Sequence, residues 1–430
     1  MGYLSQHSRV SSQRFGIAIT AAFLLLSALT MRPTLLGQVF TPVSMLFAAI
    51  ALFAAAVTLK RTDRATAARN LAIASIVCVL WVYLSIHSFA MDARRPESVV
   101  KALISIPFLV FAFAFLLSRQ DLNRVFFRGL VWLFVLFTIS YFITLALLLF
   151  VPLDSLFIFQ TDKLYGDKWG GIYFPFTTAY GVFSFYGVKF FRSLGPFREA
   201  GIFQAFLVWA FFASPYIDMD RRWIKAVLVA GIFSTLSTAG MAIFFATLAL
   251  KTVFISNDAR SLKRILVSAV FTLITFAVGL LAFLYLPVLG LLEKMDKAQA
   301  SIDDRVGNTV LGLYGFFDNP LGIGMYNASQ ENMGINLLSA LYMIGLPGLL
   351  LLVFLAVVSV ITIRKNSEKA VFMISMFPFA ITGIFSQPFL ESPLVFIMLF
   401  QVLAIRAVQD TKLIAGAPPQ NYLKVIEGNG

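Results

Sequence analysis

Two arginines beside carboxylates are the residues of this sequence best suited to chemistry. Arg198 is followed by Glu199, and Arg305 is preceded by Asp303 and Asp304. A planar guanidinium donates two parallel hydrogen bonds to phosphate oxygens, so this pair predicts one phosphate-binding site shared by both arginines. The alternative interpretation of each arginine is a side chain that only reaches lipid headgroups.

The segment around Arg305 ends in a turn. Residues 301–325 read SIDDRVGNTVLGLYGFFDNPLGIGM and lie between two long apolar stretches. Asn-Pro followed by two glycines predicts a sharply folded loop rather than a helix that continues into lipid. We therefore expect a short amphipathic run and then a loop at the membrane surface.

The composition excludes a soluble globular domain. Hydrophobic residues make up 59% of the 430 residues, charged residues only 13%, and the mean hydropathy is +0.86. Apolar windows of about 20 residues recur along the chain, and each is long enough to cross a bilayer. The net charge of +13 is scattered among short loops, which indicates membrane topology and anionic lipid partners rather than nucleic acid.

Few residues are available to hold a metal. The single cysteine excludes an internal disulfide and a cysteine-based metal site. The two histidines, His7 and His87, lie in the N-terminal tail and in an apolar run, so a histidine-rich site is not expected. The sequence therefore predicts neither a metal nor a cofactor.

These patterns predict an all-α polytopic membrane protein with about 12 transmembrane segments in one domain, residues 1–430. The predicted spans are 15–31, 36–59, 71–90, 99–117, 129–151, 200–217, 265–287, 336–360, 370–386 and 393–409, with two further short helices in 223–256. Basic clusters between the spans place both termini in the cytoplasm, with a flexible tail over 411–430.

Two ambiguous stretches are decided by the same basic clusters. Residues 172–191 are apolar, but a span there would reverse every later cluster, so we predict that they do not cross. Residues 223–256 are interrupted at Ser234–Gly240, and we predict two short helices that meet at this polar turn. Two large outer loops then remain, 152–199 and 288–335.

Several motifs, in order along the chain, resemble the O-antigen polymerase and O-antigen ligase superfamily, which includes exopolysaccharide polymerases. They cover about half of the chain. They are Arg198-Glu-Ala-Gly201-Ile-Phe, Leu236-Ser-Thr-Ala-Gly240, Arg305 followed by Phe316-Phe-Asp-Asn-Pro320-Leu-Gly322-Ile-Gly324, and Asn336-Leu-Leu-Ser-Ala-Leu-Tyr-Met-Ile-Gly345-Leu-Pro-Gly348.

The resemblance implies a C-type glycosyltransferase-like fold with two large periplasmic loops in the bacterial inner membrane. Its partners would be an undecaprenyl-diphosphate-linked glycan donor and acceptor, membrane lipids and a chain-length regulator protein. The family's paired arginines are thought to grip the donor diphosphate, a role that falls on Arg198 and Arg305. Ligases usually carry a histidine just before the helix that here begins near Asn336; Ile335 stands there instead, which favours the polymerase.

Polymerisation needs a base and contacts to the sugars. A carboxylate would deprotonate the acceptor hydroxyl, and the candidates, in order, are Glu199, Asp304 and Glu331. Aromatic faces beside polar groups suit a sugar, although aromatic residues also anchor loops at a membrane interface. The predicted substrate-binding residues are Lys163, Lys168, Trp169, Tyr173, Arg192, Asn319 and Asn336. The alternatives are an O-antigen ligase and a transporter without chemistry.

Overall fold

A computed structural model describes residues 2–38, 40–58, 64–160, 171–185, 188–255, 299–327 and 336–405. Twelve α-helices occur in these residues. They are α1 (Gly2–Leu29), α2 (Thr41–Thr58), α3 (Arg64–Ala90), α4 (Pro96–Leu116), α5 (Gln120–Leu147), α6 (Ala200–Ala213), α7 (Arg222–Ser234), α8 (Thr238–Ile255), α9 (Gln299–Asp318), α10 (Leu337–Ile361), α11 (Asn366–Phe385) and α12 (Pro393–Ile397).

The long apolar helices confirm the predicted class, a helical membrane protein. Within the described part, α3, α4, α5, α10 and α11 are long and apolar enough to cross a membrane, and α1, α2, α6, α8 and the segment after Ser392 contain shorter apolar helices. The predicted span 265–287 lies outside the described residues. The number of spans and the side of the membrane on which each end lies stay predictions.

The first large loop contains a β-sheet, so the prediction of an all-α chain is wrong there. Its strands form an antiparallel sheet in the order β1-β2-β3-β4, and none of them is a spanning helix, as expected for 172–191. Aromatic and β-branched residues crowd these segments, and such residues favour strands over helices. The strands are β1 (Phe157–Gln160), β2 (Gly171–Tyr173), β3 (Thr177–Phe185) and β4 (Val188–Ser193).

The interruption predicted within 223–256 is confirmed. Helix α7 ends at Ser234, helix α8 begins at Thr238, and Leu236 between them has a positive φ of 49°. Gly240 permits close packing against α6, because a Cβ at this position would lie 1.6 Å from the side chain of Gln204.

The turn at 319–324 is confirmed as a sharp loop, and it is joined to a break in α10. Gly345 interrupts α10 with φ 65° and ψ −179°, which leaves backbone groups on both sides of the break without helical partners. The turn supplies those partners, and we call the turn with its bonds the clasp. Its three hydrogen bonds run from Ile323 N to Tyr342 O at 3.0 Å, from Gly324 N to Met343 O at 3.0 Å and from Leu346 N to Pro320 O at 2.7 Å.

The clasp also contacts α3. The Tyr83 hydroxyl donates to the carbonyl of Ile344 at 3.0 Å, which pairs another carbonyl at the break. A Cβ on Gly324 would lie 2.9 Å from the Cα of Ser88, so only glycine permits this approach. The clasp therefore joins α3, α10 and the end of α9, and it fixes the course of Met325 and Tyr326 that follow.

Loops predicted to share a side of the membrane meet at the same end of the helices. Near one end, Thr34 and Phe197 form an antiparallel bridge, and the Asn327 amide donates to the carbonyl of Met91. At the other end, Asp218 forms ion pairs with the guanidinium groups of two α5 arginines. This grouping agrees with the predicted alternation of loops along the described chain.

Candidate functional site

A cavity of about 1070 Å³ lies between α10, α11 and the loops at one end of the helices. Its mouth is basic. The charged residues that line it are Arg32, Arg94, Arg95, Arg198 and Glu391. Apolar side chains of α10 and α11 line the remainder, among them Leu349, Leu352, Phe372, Met376 and Phe379. The cavity thus joins a positively charged mouth to a long apolar wall.

The apolar wall is slightly longer than the hydrocarbon core of a membrane is thick. Lining residues on α10 extend from Leu337 to Val360. At 1.5 Å per residue this stretch covers ~34 Å of helix axis, against ~30 Å for the hydrocarbon core of a bilayer. The geometry suits a ligand that combines an anionic group with a long hydrocarbon chain.

Backbone contacts bring Arg32 and Arg198 to the same place. Arg32 follows α1 and Arg198 precedes α6, and the two segments lie side by side through the Thr34–Phe197 bridge. The amide of Leu35 donates to the carbonyl of Pro196 at 2.8 Å beside it. Both arginines therefore reach the mouth of the cavity from one small piece of paired backbone.

Arg32 is also tied to the loop before α12. Its guanidinium forms an ion pair with Glu391, and its carbonyl accepts a hydrogen bond from the amide of Leu394 at 3.4 Å. These contacts orient the guanidinium beside the cavity and balance part of its charge.

Arg198 has more hydrogen-bond donors free than Arg32 has. Its Nε lies 4.0 Å from Oε1 of Glu199. Within the described part of the chain this buried Nε has no hydrogen-bond partner. A buried donor without a partner costs free energy, so an anion that accepted from Arg198 would be bound favourably.

Burial and neighbouring charge shift the pKa values of two side chains at the mouth, Arg32 and Tyr326. Burial lowers the pKa of Arg32, the Tyr326 phenol acts in the opposite direction, and the positive charge of Arg198 lowers it further. Burial raises the pKa of Tyr326 to about 12, and Arg32 offsets part of this rise. Since a guanidinium still stays charged at neutral pH, the mouth presents cations and a neutral phenol that can donate a hydrogen bond.

Helix N-termini add to this positive potential. The first turn of α4 reaches the cavity at Ser98, and α10 begins there at Leu337 after its cap, Asn336. The N-terminus of a helix carries roughly half a positive charge, which favours a bound anion.

Half of the predicted site lies outside the described side chains. The backbone of Arg305 and Asp304 belongs to α9, but their side chains fall outside the described part. The predicted residues in stretches the structure does not describe are Lys163, Lys168, Trp169 and Glu331. The shared site of Arg198 and Arg305 stays a prediction, and the structure places Arg32 beside Arg198.

Asn336 lines the cavity, but its side chain caps helix α10 and bonds to neighbouring segments. Its Oδ1 accepts from the amide of Ser339 at 2.9 Å, and its Nδ2 donates to Thr309 Oγ1 at 2.9 Å and to the carbonyl of Phe385 at 3.3 Å. Asn319 is exposed, and its carbonyl accepts from the amide of Gly322 at 2.9 Å within the clasp. Their predicted contacts to substrate remain predictions.

The predicted residues of the sheet lie away from the described lining of the cavity. Tyr173 packs its ring against Phe157 and Phe191, with centroids 5.9 and 6.5 Å away. Burial raises the pKa of Tyr173, and the charge of Asp154 raises it further. Arg192 is half-buried on β4. Contacts of both residues to a sugar stay predictions.

The sequence also carried a signal that our prediction did not use. Arg32, Arg94 and Arg95 fall in loops predicted on the outer side, where the positive-inside rule does not require basic residues. The same reasoning had selected residues 152–199. Tyr326 and Glu391 had no such signal, because neither is basic and a single tyrosine or glutamate in a loop is common.

The described residues contain no group of three or more histidine, cysteine, aspartate or glutamate side chains arranged to hold a metal ion. In comparisons with known proteins, no family model, no curated protein and no solved structure matches the chain. The cavity and its arginines are therefore the basis on which function can be argued, together with the motif resemblance.

Proposed function

We propose that this protein is a glycosyltransferase that polymerises undecaprenyl-diphosphate-linked repeat units into O-antigen or a related surface polysaccharide, at the periplasmic face of the inner membrane. The observation that supports it most is the cavity, whose mouth holds four arginines and whose wall is apolar over ~34 Å. A polyprenyl diphosphate has the same two parts, a compact anion and a long hydrocarbon tail.

Binding would use the two arginines whose positions are fixed by paired backbone. Arg198 offers its unpartnered Nε, and Arg32 offers the donors that Glu391 does not occupy. Tyr326 adds a neutral hydroxyl donor. Charge-assisted hydrogen bonds of this kind are roughly twice as strong as neutral ones, so the diphosphate would be the main point of attachment.

In the reaction, a carboxylate removes the proton from the acceptor hydroxyl, and the oxygen attacks the anomeric carbon of the donor sugar. The bond from this carbon to the diphosphate oxygen breaks, and the lipid diphosphate leaves with the electron pair. Direct displacement inverts the anomeric centre. The arginines stabilise the negative charge that grows on the leaving group in a partly dry cavity. Glu199, beside Arg198, is the described candidate for the base.

Two other functions remain as alternatives. A ligase would transfer finished glycan to lipid A core, but the histidine expected before α10 is absent, as Ile335 and Asn336 show. A transporter places its charged pairs within spans near the middle of the bilayer. The lining charges described here lie in loops and helix starts instead, which favours the enzyme.

The glycan ladder of a strain that lacks this gene separates these functions. Loss of the polymerase leaves lipid A core capped with one repeat unit. Loss of a ligase leaves bare core and polymer held on the carrier lipid. An intact ladder with altered movement of a solute would indicate a transporter and contradict the proposal.

Arginine substitutions then test the site. Arg198→Ala, Arg305→Ala and Arg32→Ala should each shorten the ladder strongly, because removing one donor to a developing charge typically costs 10²–10³ in rate. Arg198→Lys should rescue poorly, since lysine keeps the charge but loses the planar two-point contact. Arg222→Ala, an exposed arginine at the other end of the helices, is the matched control. A normal ladder in an alanine variant removes that arginine from the site.

A further inference from the structure

An exposed apolar patch lies between the end of α5 and the sheet, apart from the cavity. It begins directly after α5, continues through β1 and ends in the turn between β2 and β3. Its members, which we call the apolar patch, are Phe150, Phe157, Ile158, Phe159, Phe174 and Phe176, with exposed fractions from 44% to 84%. Large apolar side chains exposed to this extent, clustered in one stretch of the chain, indicate an apolar environment that covers them.

Strand β1 is an edge strand without charged residues or proline. It stands first in the order of the sheet, so one of its sides has no neighbouring strand in the described chain. Edge strands that face water usually carry charged residues or proline, whereas β1 reads Phe-Ile-Phe-Gln. Three consecutive apolar side chains of β1 are each nearly half exposed. Water is therefore an unfavourable neighbour for this edge.

The turn between β2 and β3 lies beside the spanning part of α5, not above it. The amide of Phe176 donates to Ser140 Oγ at 3.0 Å, and Thr144 Oγ1 donates to the carbonyl of Phe174 at 2.8 Å. Ser140 precedes the end of α5 at Leu147 by about two turns, or ~10 Å. Since α5 is long and apolar enough to cross a membrane and stays apolar to its end at Leu147, a bilayer that covered this end would also reach the level of the turn.

The backbone of this turn meets the requirement that lipid imposes. Without water, each N–H needs a partner within the protein. The amide of Phe174 donates to the carbonyl of Leu156 at 2.7 Å, and that of Phe176 to Ser140. Pro175, between them, has no N–H. All backbone donors of the turn are therefore paired, while the two phenylalanine rings stay exposed.

We propose that the apolar patch is inserted into the lipid bilayer beside α5, so that the membrane itself holds the sheet. Phe142 and Ile143 are also exposed, on the stretch of α5 between Ser140 and Thr144 that holds the turn. Exposed apolar side chains on both the helix and the turn at one level favour lipid over a partner protein, which would cover the sheet but end at the membrane surface. The anchor sets the depth of β4 and of Arg198, which follows it by five residues.

Site-directed fluorescence tests this insertion in the full chain. In a Cys78→Ser background, Phe159→Cys and Phe176→Cys are labelled with the fluorophore NBD, and the protein is reconstituted into vesicles of phosphatidylethanolamine and phosphatidylglycerol. Quenching by nitroxide-labelled lipids is compared with quenching by aqueous iodide. Ser155→Cys is the matched control, because it is exposed and polar in the same segment. Phe150→Cys is a second probe, since its ring is 84% exposed and has little packing to lose.

We expect nitroxide lipids to quench the probes at 150, 159 and 176 at least threefold more than iodide, and the reverse order at 155. Strong iodide quenching at the patch positions would overturn the proposal. Protection from both quenchers that disappears on dilution of the protein would also overturn it, in favour of a protein that covers the patch. Because the readout does not involve the glycan, it is independent of the arginine experiments.

Discussion

Replacement of Gly345 by alanine should break the hydrogen bonds of the clasp. The φ of 65° and ψ of −179° at Gly345 belong to a region that is essentially restricted to glycine. A Cβ there would also lie 2.0 Å from the carbonyl oxygen of Leu321 and 2.3 Å from its carbonyl carbon. Since both atoms belong to the backbone, no side-chain rotation relieves the clash. The turn and the break in α10 must separate.

The loss of stability can be worked out from the interactions that break when the turn separates from α10. Three backbone hydrogen bonds join the two segments, and a typical net contribution is ~1 kcal/mol each. A side chain forced into a strained backbone conformation costs about 1 to 3 kcal/mol more. We expect Gly345→Ala to lower the free energy of unfolding by about 4 to 6 kcal/mol. Because Tyr326 follows the clasp directly, binding of a lipid diphosphate should weaken as well.

The assay is equilibrium unfolding of the purified protein in mixed micelles, followed by circular dichroism. Gly307→Ala is the control, since nothing lies within 4 Å of a Cβ at this exposed position of α9. Alanine there should leave stability equal or up to about 1 kcal/mol higher, because alanine is the better helix former. A Gly345→Ala protein within about 1 kcal/mol of the wild type would refute the clasp as a structural element.

Three further predictions concern topology, metals and pH. Cysteines at Glu97 and Asp318 should react with impermeant thiol reagents on intact spheroplasts, and one at Arg222 only after permeabilisation; the opposite pattern would invert the topology. Since arginines supply the charge at the mouth, polymerisation in isolated membranes should survive EDTA, and a loss restored by magnesium would contradict this. Because burial raises the pKa of Tyr326 to about 12, its neutral form favours folding, and stability should fall as the pH rises from about 10 to about 12. Thermal unfolding of Tyr326→Phe should show a smaller fall, and an unchanged fall would exclude this phenol as the cause.

The sequence predicted the helices well because hydropathy and loop charge are local properties. The runs that became α3, α4, α5, α10 and α11 each carry enough apolar residues to identify them without knowledge of their neighbours. The sheet was missed for the same reason: its strands are short, and apolar composition does not distinguish a strand from part of a helix.

The site was harder to predict because its parts are distant in sequence. The importance of Arg198 could be seen from its neighbours, but nothing local to Arg32 shows that Phe197 and Glu391 lie beside it. The turn at 319–324 was predicted correctly as a sharp loop. Its bonds to the break at Gly345 depend on a contact between two segments that no pattern within either segment reveals.

The bridge between Thr34 and Phe197 has a consequence for the order in which the protein is made. Arg32 emerges from the ribosome with the end of the first helix, long before Phe197 and much longer before Glu391. Until those residues arrive, Arg32 has neither the paired backbone nor the carboxylate that hold it in the finished protein. The mouth of the cavity is therefore completed late in synthesis: the bridge can form once Phe197 is made, but the carboxylate that orients Arg32 arrives only after most of the helices.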